Sequence, residues 1–240
     1  MIRSDLIGRK LTVIMPVYNE KERIEKIVQS CHLSILSQIP DSELLLVEDG
    51  STDGTKECLK ILQKKIPFRL VSYSERKGFA SAFKESLALV NSELVFFCDS
   101  DGQYHFEDFY LLTQDTDRAD IVSGWKQQRQ DPFYRIFLSR VFNGILRLLF
   151  GFRIHDANSS FKLIRKEVID VILPRLKTNT PCIMSEFMLR AHLKGFEIRE
   201  VPIRHLAREG STSRIFSLWQ IPLIVARIMM DLLLLKIRKR

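Results

Sequence analysis

The sequence predicts an α/β protein built on a doubly wound, mostly parallel sheet with flanking helices. Three observations carry that prediction. Four near-continuous apolar runs occupy the first hundred residues, helical patterns separate them, and polar clusters close three of the runs. A strand covered by helices on both faces shows no polar–apolar alternation, and that is how buried parallel strands read.

In chain order, LTVIMPV (11–17), ELLLVED (43–49), residues 67–73 and ELVFFCD (93–99) read as strands, with β-branched and aromatic content and polar flanks. Helices are expected at roughly 20–36, 53–64 and 78–90, the second opening behind the cap-like Ser51-Thr52-Asp53. Beyond residue 120 the pattern is less regular. DIVSG (120–124), SSFKLI (159–164) and FEIREVPI (196–203) are strand candidates, and 132–150, 165–173 and 183–194 are helix candidates. Their order in the sheet is not set by the sequence. With no internal repeat or low-complexity linker, one domain is expected over 1–213, followed by an amphipathic helix over 214–240.

Composition narrows the function. The 240 residues are 45% apolar and 28% charged, a globular balance with room for a full core. Four scattered cysteines form no CxxC pair and five histidines no HxxxH pair, which argues against a disulfide framework and a zinc site. MIRSDLIGRK is followed by no long apolar run, so neither a signal peptide nor an N-terminal anchor is expected, and the body is placed on the cytosolic side. The net charge of +8 is uneven. Residues 204–240 hold eight Lys/Arg against two acids, leaving 29 against 27 elsewhere. A nearly neutral body speaks against nucleic acid as partner; a basic tail favours an anionic surface or a diphosphate.

In an open parallel sheet, ligands bind beyond the carboxyl ends of the strands. The first strand ends in Pro16-Val17-Tyr18-Asn19-Glu20, the second in Glu48-Asp49-Gly50-Ser51, and the fourth in Asp99-Ser100-Asp101-Gly102-Gln103. Carboxylates at i and i+2 on extended backbone face the same way, and together they repel unless a cation lies between them. Magnesium or manganese suits such an oxygen site and leaves positions for phosphate. A solvated Asp-x-Asp-Gly turn has the same composition. Asp49 can accept hydrogen bonds from a base, or belong to a turn capped by Ser51 or Asp53. Tyr18 and Pro16 can wall a base or close the core.

LTVIMPVYNE, LLLVEDGSTDGT, ELVFFCDSDGQ and IREVPI…REGSTSR, in this order, resemble the family 2 inverting glycosyltransferases of the GT-A fold. Within that family the chain is similar to the polyprenyl-phosphate branch, which includes dolichol-phosphate mannose synthases and undecaprenyl-phosphate sugar transferases. The resemblance covers residues 11 to about 215. It implies that Pro16, Tyr18, Glu20 and Asp49 hold the nucleoside. It implies that Asp99, Asp101 and Gln103 bind Mg2+ or Mn2+ and, through it, the donor diphosphate. Arg208, Ser213 and Arg214 match a loop that closes over that diphosphate. Relatives carry Gly-Leu-Gly or Gly-Lys-Gly before the third helix, where this chain has Arg76-Lys77-Gly78-Phe79-Ala80.

The expected acceptor side is the segment 123–152, with aromatic and aliphatic bulk and five Lys/Arg. Arg135, Ser139, Asn143 and Arg147, spaced by four, form one polar stripe on a helix. Such a stripe is also how an ordinary solvated face looks. The resemblance places Arg135 and Ser139 at an Arg-x3-Ser element associated with acceptor phosphate, with Lys126 and Arg129 as neighbouring candidates. Asp156 matches a family Asp and is the candidate base, sugar ligand or scaffold; Glu186 is a weaker one. The implied reaction moves a sugar from a GDP- or UDP-sugar to a polyprenyl phosphate with inversion. The alternatives are a sugar or glycolipid hydroxyl as acceptor, or a non-catalytic nucleotide-sugar-binding subunit.

Residues 215–235 are mostly apolar, but Pro222, Arg227 and Asp231 make a lone span costly, at roughly 3 kcal/mol for each charge. The expectation is a helix lying on the membrane surface, with Lys236, Arg238, Lys239 and Arg240 near anionic head groups. A helix docked on the domain or on a membrane-embedded partner is the rival.

Overall fold

The computed structural model describes residue 6 and residues 8–127, 133–176 and 182–206. Seven strands form one sheet in the order β3-β2-β1-β4-β6-β5-β7. They are β1 (Leu11–Val17), β2 (Ser42–Glu48), β3 (Arg69–Ser72), β4 (Leu94–Phe97), β5 (Ile121–Lys126), β6 (Lys162–Arg165) and β7 (Ile198–Ile203). The helices are α1 (Ile24–Ser34), α2 (Thr55–Leu62), α3 (Phe79–Ala88), α4 (Phe109–Thr113), α5 (Phe133–Phe150), α6 (Lys166–Ile172) and α7 (Ile183–Leu193).

β1 pairs in parallel with β2 and β4, β2 with β3, and β5 with β7; β6 alone runs antiparallel, between β4 and β5. The doubly wound, mostly parallel expectation holds, with one reversed strand. That reversal matters for the site. The carboxyl ends of β1, β2, β4, β5 and β7 lie along one edge of the sheet. Because β6 points the other way, it begins at that edge, so the turn leading into it, Asp156–Ser160, joins the same rim.

The apolar runs of β1, β2 and β4 are buried on both faces, as their lack of alternation required, whereas β3, at the sheet edge, is only half-buried. Val13, Met15, Leu44, Leu46 and Phe96 enter one core cluster, and Ile14, Leu45, Val47, Val95 and Phe97 enter the other. Burying such a side chain contributes about 1.5–3 kcal/mol. Edge-to-face rings reinforce both layers: Phe96 lies 4.9 Å from Phe109 and 4.7 Å from Phe161, and Phe83 lies 4.9 Å from Phe97. Among the described residues, no helix is long and apolar enough to cross a membrane. The expected helix over 214–240 lies outside the described residues.

Candidate active site

The loops after β1 and β2 are sewn together. Asn19, in the left-handed region with φ 55°, donates its backbone N–H to Ser51 Oγ at 3.0 Å and accepts the Thr52 N–H at 2.8 Å. The Glu20 N–H donates to Thr55 Oγ1 at 2.9 Å, in the first turn of α2. The Glu20–Thr55 bond is buried and satisfies an amide that would otherwise be left orphaned. Together these bonds hold Tyr18 and Glu20 at the rim.

Glu48 and Asp49 end β2 as buried carboxylates with different partners. Glu48 accepts from the Ser51 amide and, at 2.5 Å, from the Ser72 hydroxyl, so it is spent on the turn. Asp49 accepts from the Lys77 N–H at 2.7 Å and the Gly78 N–H at 2.9 Å, one on each oxygen. A carboxylate oxygen has a second lone pair, so the same group can still receive donors from a base. Gly50, with φ +66°, makes this approach possible: a Cβ there would lie 2.5 Å from Arg76 N and Glu75 C. Gly50→Ala is therefore expected to cost at least about 2 kcal/mol, from backbone strain plus the clash, measured as a lowered urea midpoint. A variant as stable as the wild type would contradict that packing.

The rim encloses a cleft of about 630 Å³. Pro16, Tyr18, Glu20, Asp49, Asp99 and Asp101 all line it. Arg76 lines it as well, its guanidinium 4.2 Å from the centre of the Tyr18 ring. The unusual Arg76-Lys77-Gly78 turn thus supplies both the cation over Tyr18 and the two amides on Asp49.

Beyond β4, Asp101 Oδ1 accepts its own loop's Gln103 N–H at 3.1 Å, which fixes the turn. Asp99 Oδ2 accepts from the Ser160 hydroxyl, whose oxygen lies 3.1 Å from Tyr104 Oη. The Gln103 side-chain amide donates to the Leu206 carbonyl at 3.1 Å, tying this loop to the chain leaving β7. Among the described residues, no group of three or more His, Cys, Asp or Glu is placed to hold a metal ion. Two hard carboxylates on one cleft fit a cation of the Mg2+ or Mn2+ type that takes its remaining ligands from water and a diphosphate. They do not fit a closed structural site.

Gln103, Lys126, Ser139, Asp156 and Glu186 are not among the described residues that line the cleft. Lys126 ends β5, its ammonium 5.5 Å from the centre of the Tyr104 ring. Arg135 and Ser139 lie in the first two turns of α5. Asp156 is buried, and its Oδ2 has no hydrogen-bond partner among the described residues. Glu186, in the first turn of α7, is paired with Arg190 at 2.7 Å. Arg129, Arg208, Ser213 and Arg214 lie outside the described residues.

Three residues that the sequence reading did not single out join this region: Ser160 on Asp99, Glu200 on the 155–156 turn, and Lys162 in the core. Lys162 is fully buried and donates to Ser123 Oγ at 2.8 Å. Burial pushes its pKa down to about 8, against the opposing pull of Asp156 and Glu200. A lysine between Phe161 and Leu163 in an apolar run was the available signal.

A mostly parallel α/β sheet with a nucleotide-sized cleft and paired carboxylates at the strands' carboxyl ends fits a GT-A-type architecture. The chain belongs to glycosyl transferase family 2, whose profile matches residues 12–173. It is 25% identical over 211 residues to an undecaprenyl-phosphate 4-deoxy-4-formamido-L-arabinose transferase of Salmonella choleraesuis, covering 86% of this chain and 62% of that protein. The same transferase of Edwardsiella ictaluri is 26% identical over 209 residues, covering 85% and 62%. The chain thus spans less than two thirds of the length of these relatives. Among solved structures it is similar to a mannosyltransferase from Pyrobaculum calidifontis in complex with GDP-Man and Mn2+, with TM-score 0.65, 20% identity, and coverage of 90% of this chain and 62% of that one. It is also similar to glucosyl-3-phosphoglycerate synthase from Mycobacterium tuberculosis in complex with Mn2+, UDP and phosphoglyceric acid, with TM-score 0.67, 19% identity, and coverage of 94% and 78%.

Proposed function

We propose that this protein transfers a sugar from a nucleoside-diphosphate sugar to a polyprenyl phosphate, with inversion, at a membrane surface. The donor would lie in the cleft, its base between Tyr18 and Asp49 and its diphosphate toward Asp99 and Asp101. A bound Mg2+ or Mn2+ would supply Lewis-acid neutralisation of the leaving diphosphate, held by Asp99 and Asp101 with Gln103 beside them. Asp101 is oriented by its own turn, and Asp99 by Ser160, so neither needs to reorganise as charge develops.

The acceptor needs little proton chemistry. A phosphate monoester with second pKa about 6 is mostly a dianion at neutral pH. One of its oxygens forms the new bond to the anomeric carbon. The bond from that carbon to the diphosphate oxygen breaks, and its electron pair leaves with the nucleoside diphosphate. Lys126, Arg129, Arg135 and Ser139 would receive the acceptor phosphate; Arg208 and Arg214 would close over the donor.

The observation that favours a lipid acceptor over a soluble hydroxyl is on α5. Phe133 is 79% exposed, Leu148 is 83% exposed, and Phe137 and Val141 between them are exposed too. Spaced four, four and seven apart, they share one helix face. An apolar stripe of that size suits an acyl or isoprenoid environment more than water. The basic segment 214–240 would add a second membrane contact or dock on a membrane-embedded partner.

The test is transfer of label from GDP- and UDP-sugars, with Mn2+ or Mg2+, into short-chain polyprenyl phosphate against a neutral glycolipid. Incorporation into the phosphate alone is expected. Incorporation only into the glycolipid would move the acceptor reading to a hydroxyl. Donor binding without turnover on either acceptor would favour a binding subunit.

A further inference from the structure

The turn that carries Asp156 is held from outside by an acid of another strand, which also faces the buried Lys162. Glu200 lies on β7, at the far edge of the sheet, and its side chain is largely buried. Its Oε2 accepts the His155 backbone N–H at 2.7 Å and lies 2.9 Å from His155 Nδ1. Its Oε1 accepts the Asp156 backbone N–H at 3.1 Å. Two successive amides aimed at one carboxylate form an anion nest, and bonds to an ionised acceptor are about twice as strong as neutral ones. From the other side, Asn143 of α5 donates its side-chain amide to the His155 carbonyl at 2.6 Å. The His155 and Asp156 amides and the His155 carbonyl are therefore satisfied, while the Asp156 carboxylate keeps one buried oxygen without a partner among the described residues.

Buried polar atoms are normally paired, and leaving a carboxylate oxygen orphaned is costly. A turn fixed this firmly around an unsatisfied acid is a preorganised site. The same turn ends at Ser160, which donates to Asp99.

We propose that Glu200 is a positioning residue for sugar transfer, clamping the His155–Asp156 amides so that Asp156 stands ready at the acceptor side of the cleft. This rests on the transferase reading above. It adds a residue on β7, remote from the donor cleft, whose effect passes through Asp156.

Glu200→Gln is nearly isosteric, but its amide nitrogen can only donate, and it faces N–H groups that also donate. The clamp should fail without a cavity. Turnover is expected to fall tenfold to a hundredfold, the range seen for residues that orient a reacting group through another, with the donor KM changed less than twofold. In an Asp156→Asn background the further loss should shrink below threefold, because the group being positioned is already gone. Amide hydrogen exchange at 155 and 156 gives a readout independent of activity. Both amides should be protected in the wild type and exchange at least tenfold faster in Glu200→Gln. Multiplicative losses in the double variant, a donor KM that rises with the fall in turnover, or unchanged exchange at 155–156 would each overturn the proposal. If the wild-type protein transfers no sugar to polyprenyl phosphate, the transferase reading fails separately, and the exchange measurement alone decides the clamp.

Discussion

Asp101→Asn is expected to lower turnover by roughly a thousandfold at saturating donor while leaving the melting temperature within a few degrees of the wild type. The substitution keeps shape and the side-chain oxygen that accepts the Gln103 N–H. It removes only charge. Asp101 lines the cleft with Asp99, and nothing else among the described residues gathers a third acid to replace it. A two-carboxylate site has no reserve, so the loss falls on the charge stabilisation that a departing diphosphate needs. The Mn2+ concentration for half-maximal activity should rise in parallel. Asp99→Asn should behave similarly, with an added structural component because Asp99 also receives Ser160. The measurement is kcat against Mn2+ with and without chelator. Wild-type turnover in Asp101→Asn, or full activity in chelator, would remove the metal from the mechanism.

How much of this could be read from the chain alone differs between its halves. In the first, short apolar runs rich in β-branched and aromatic residues and closed by polar flanks mark buried parallel strands, so β1, β2 and β4 stand within two residues of their predicted bounds. The rim residues followed, because a parallel sheet fixes which strand ends carry ligands. β3 came out shorter, Arg69–Ser72, as an edge strand with one covered flank. In the second half, SSFKLI and DIVSG were recognisable as strands, but an apolar run carries no arrow. Nothing in it says that β6 runs antiparallel between β4 and β5. That reversal brings Asp156 and Ser160 to the rim, so Ser160 and Glu200 could not be placed in advance. α4 was missed because its five residues are too few to show a helical period.

Lys162 carries the other large expected effect, and its sign follows from where it sits. It is in register with Phe97 of β4 and Ser123 of β5, in the middle of the sheet. The charged groups that reach it are Asp156, Glu200, Lys126 and Asp99. Burial disfavours its ammonium form and brings its pKa from 10.5 to about 8, while Asp156 and Glu200 oppose that fall. The folded value lies below the unfolded one, so the burial penalty is fully present below about pH 8 and is relieved as pH rises toward the ordinary lysine range. Activity should run the other way. Above about pH 8 the ammonium is lost, the acids on the 156 turn and β7 lose their counter-ion, and turnover should fall. Lys162→Arg keeps the charge at every accessible pH, so its alkaline limb should move above about pH 9, even if the larger side chain costs roughly 1–3 kcal/mol of stability. Lys162→Met should be slow at all pH values, by roughly tenfold to a hundredfold, with no limb near 8. Profiles of kcat from pH 6 to pH 10 on the three proteins, each checked for folding by thermal melt, decide it. If the arginine variant falls off at the same pH as the wild type, the limb belongs to another group. If the methionine variant keeps wild-type turnover, the buried cation is only filling space between β4 and β5.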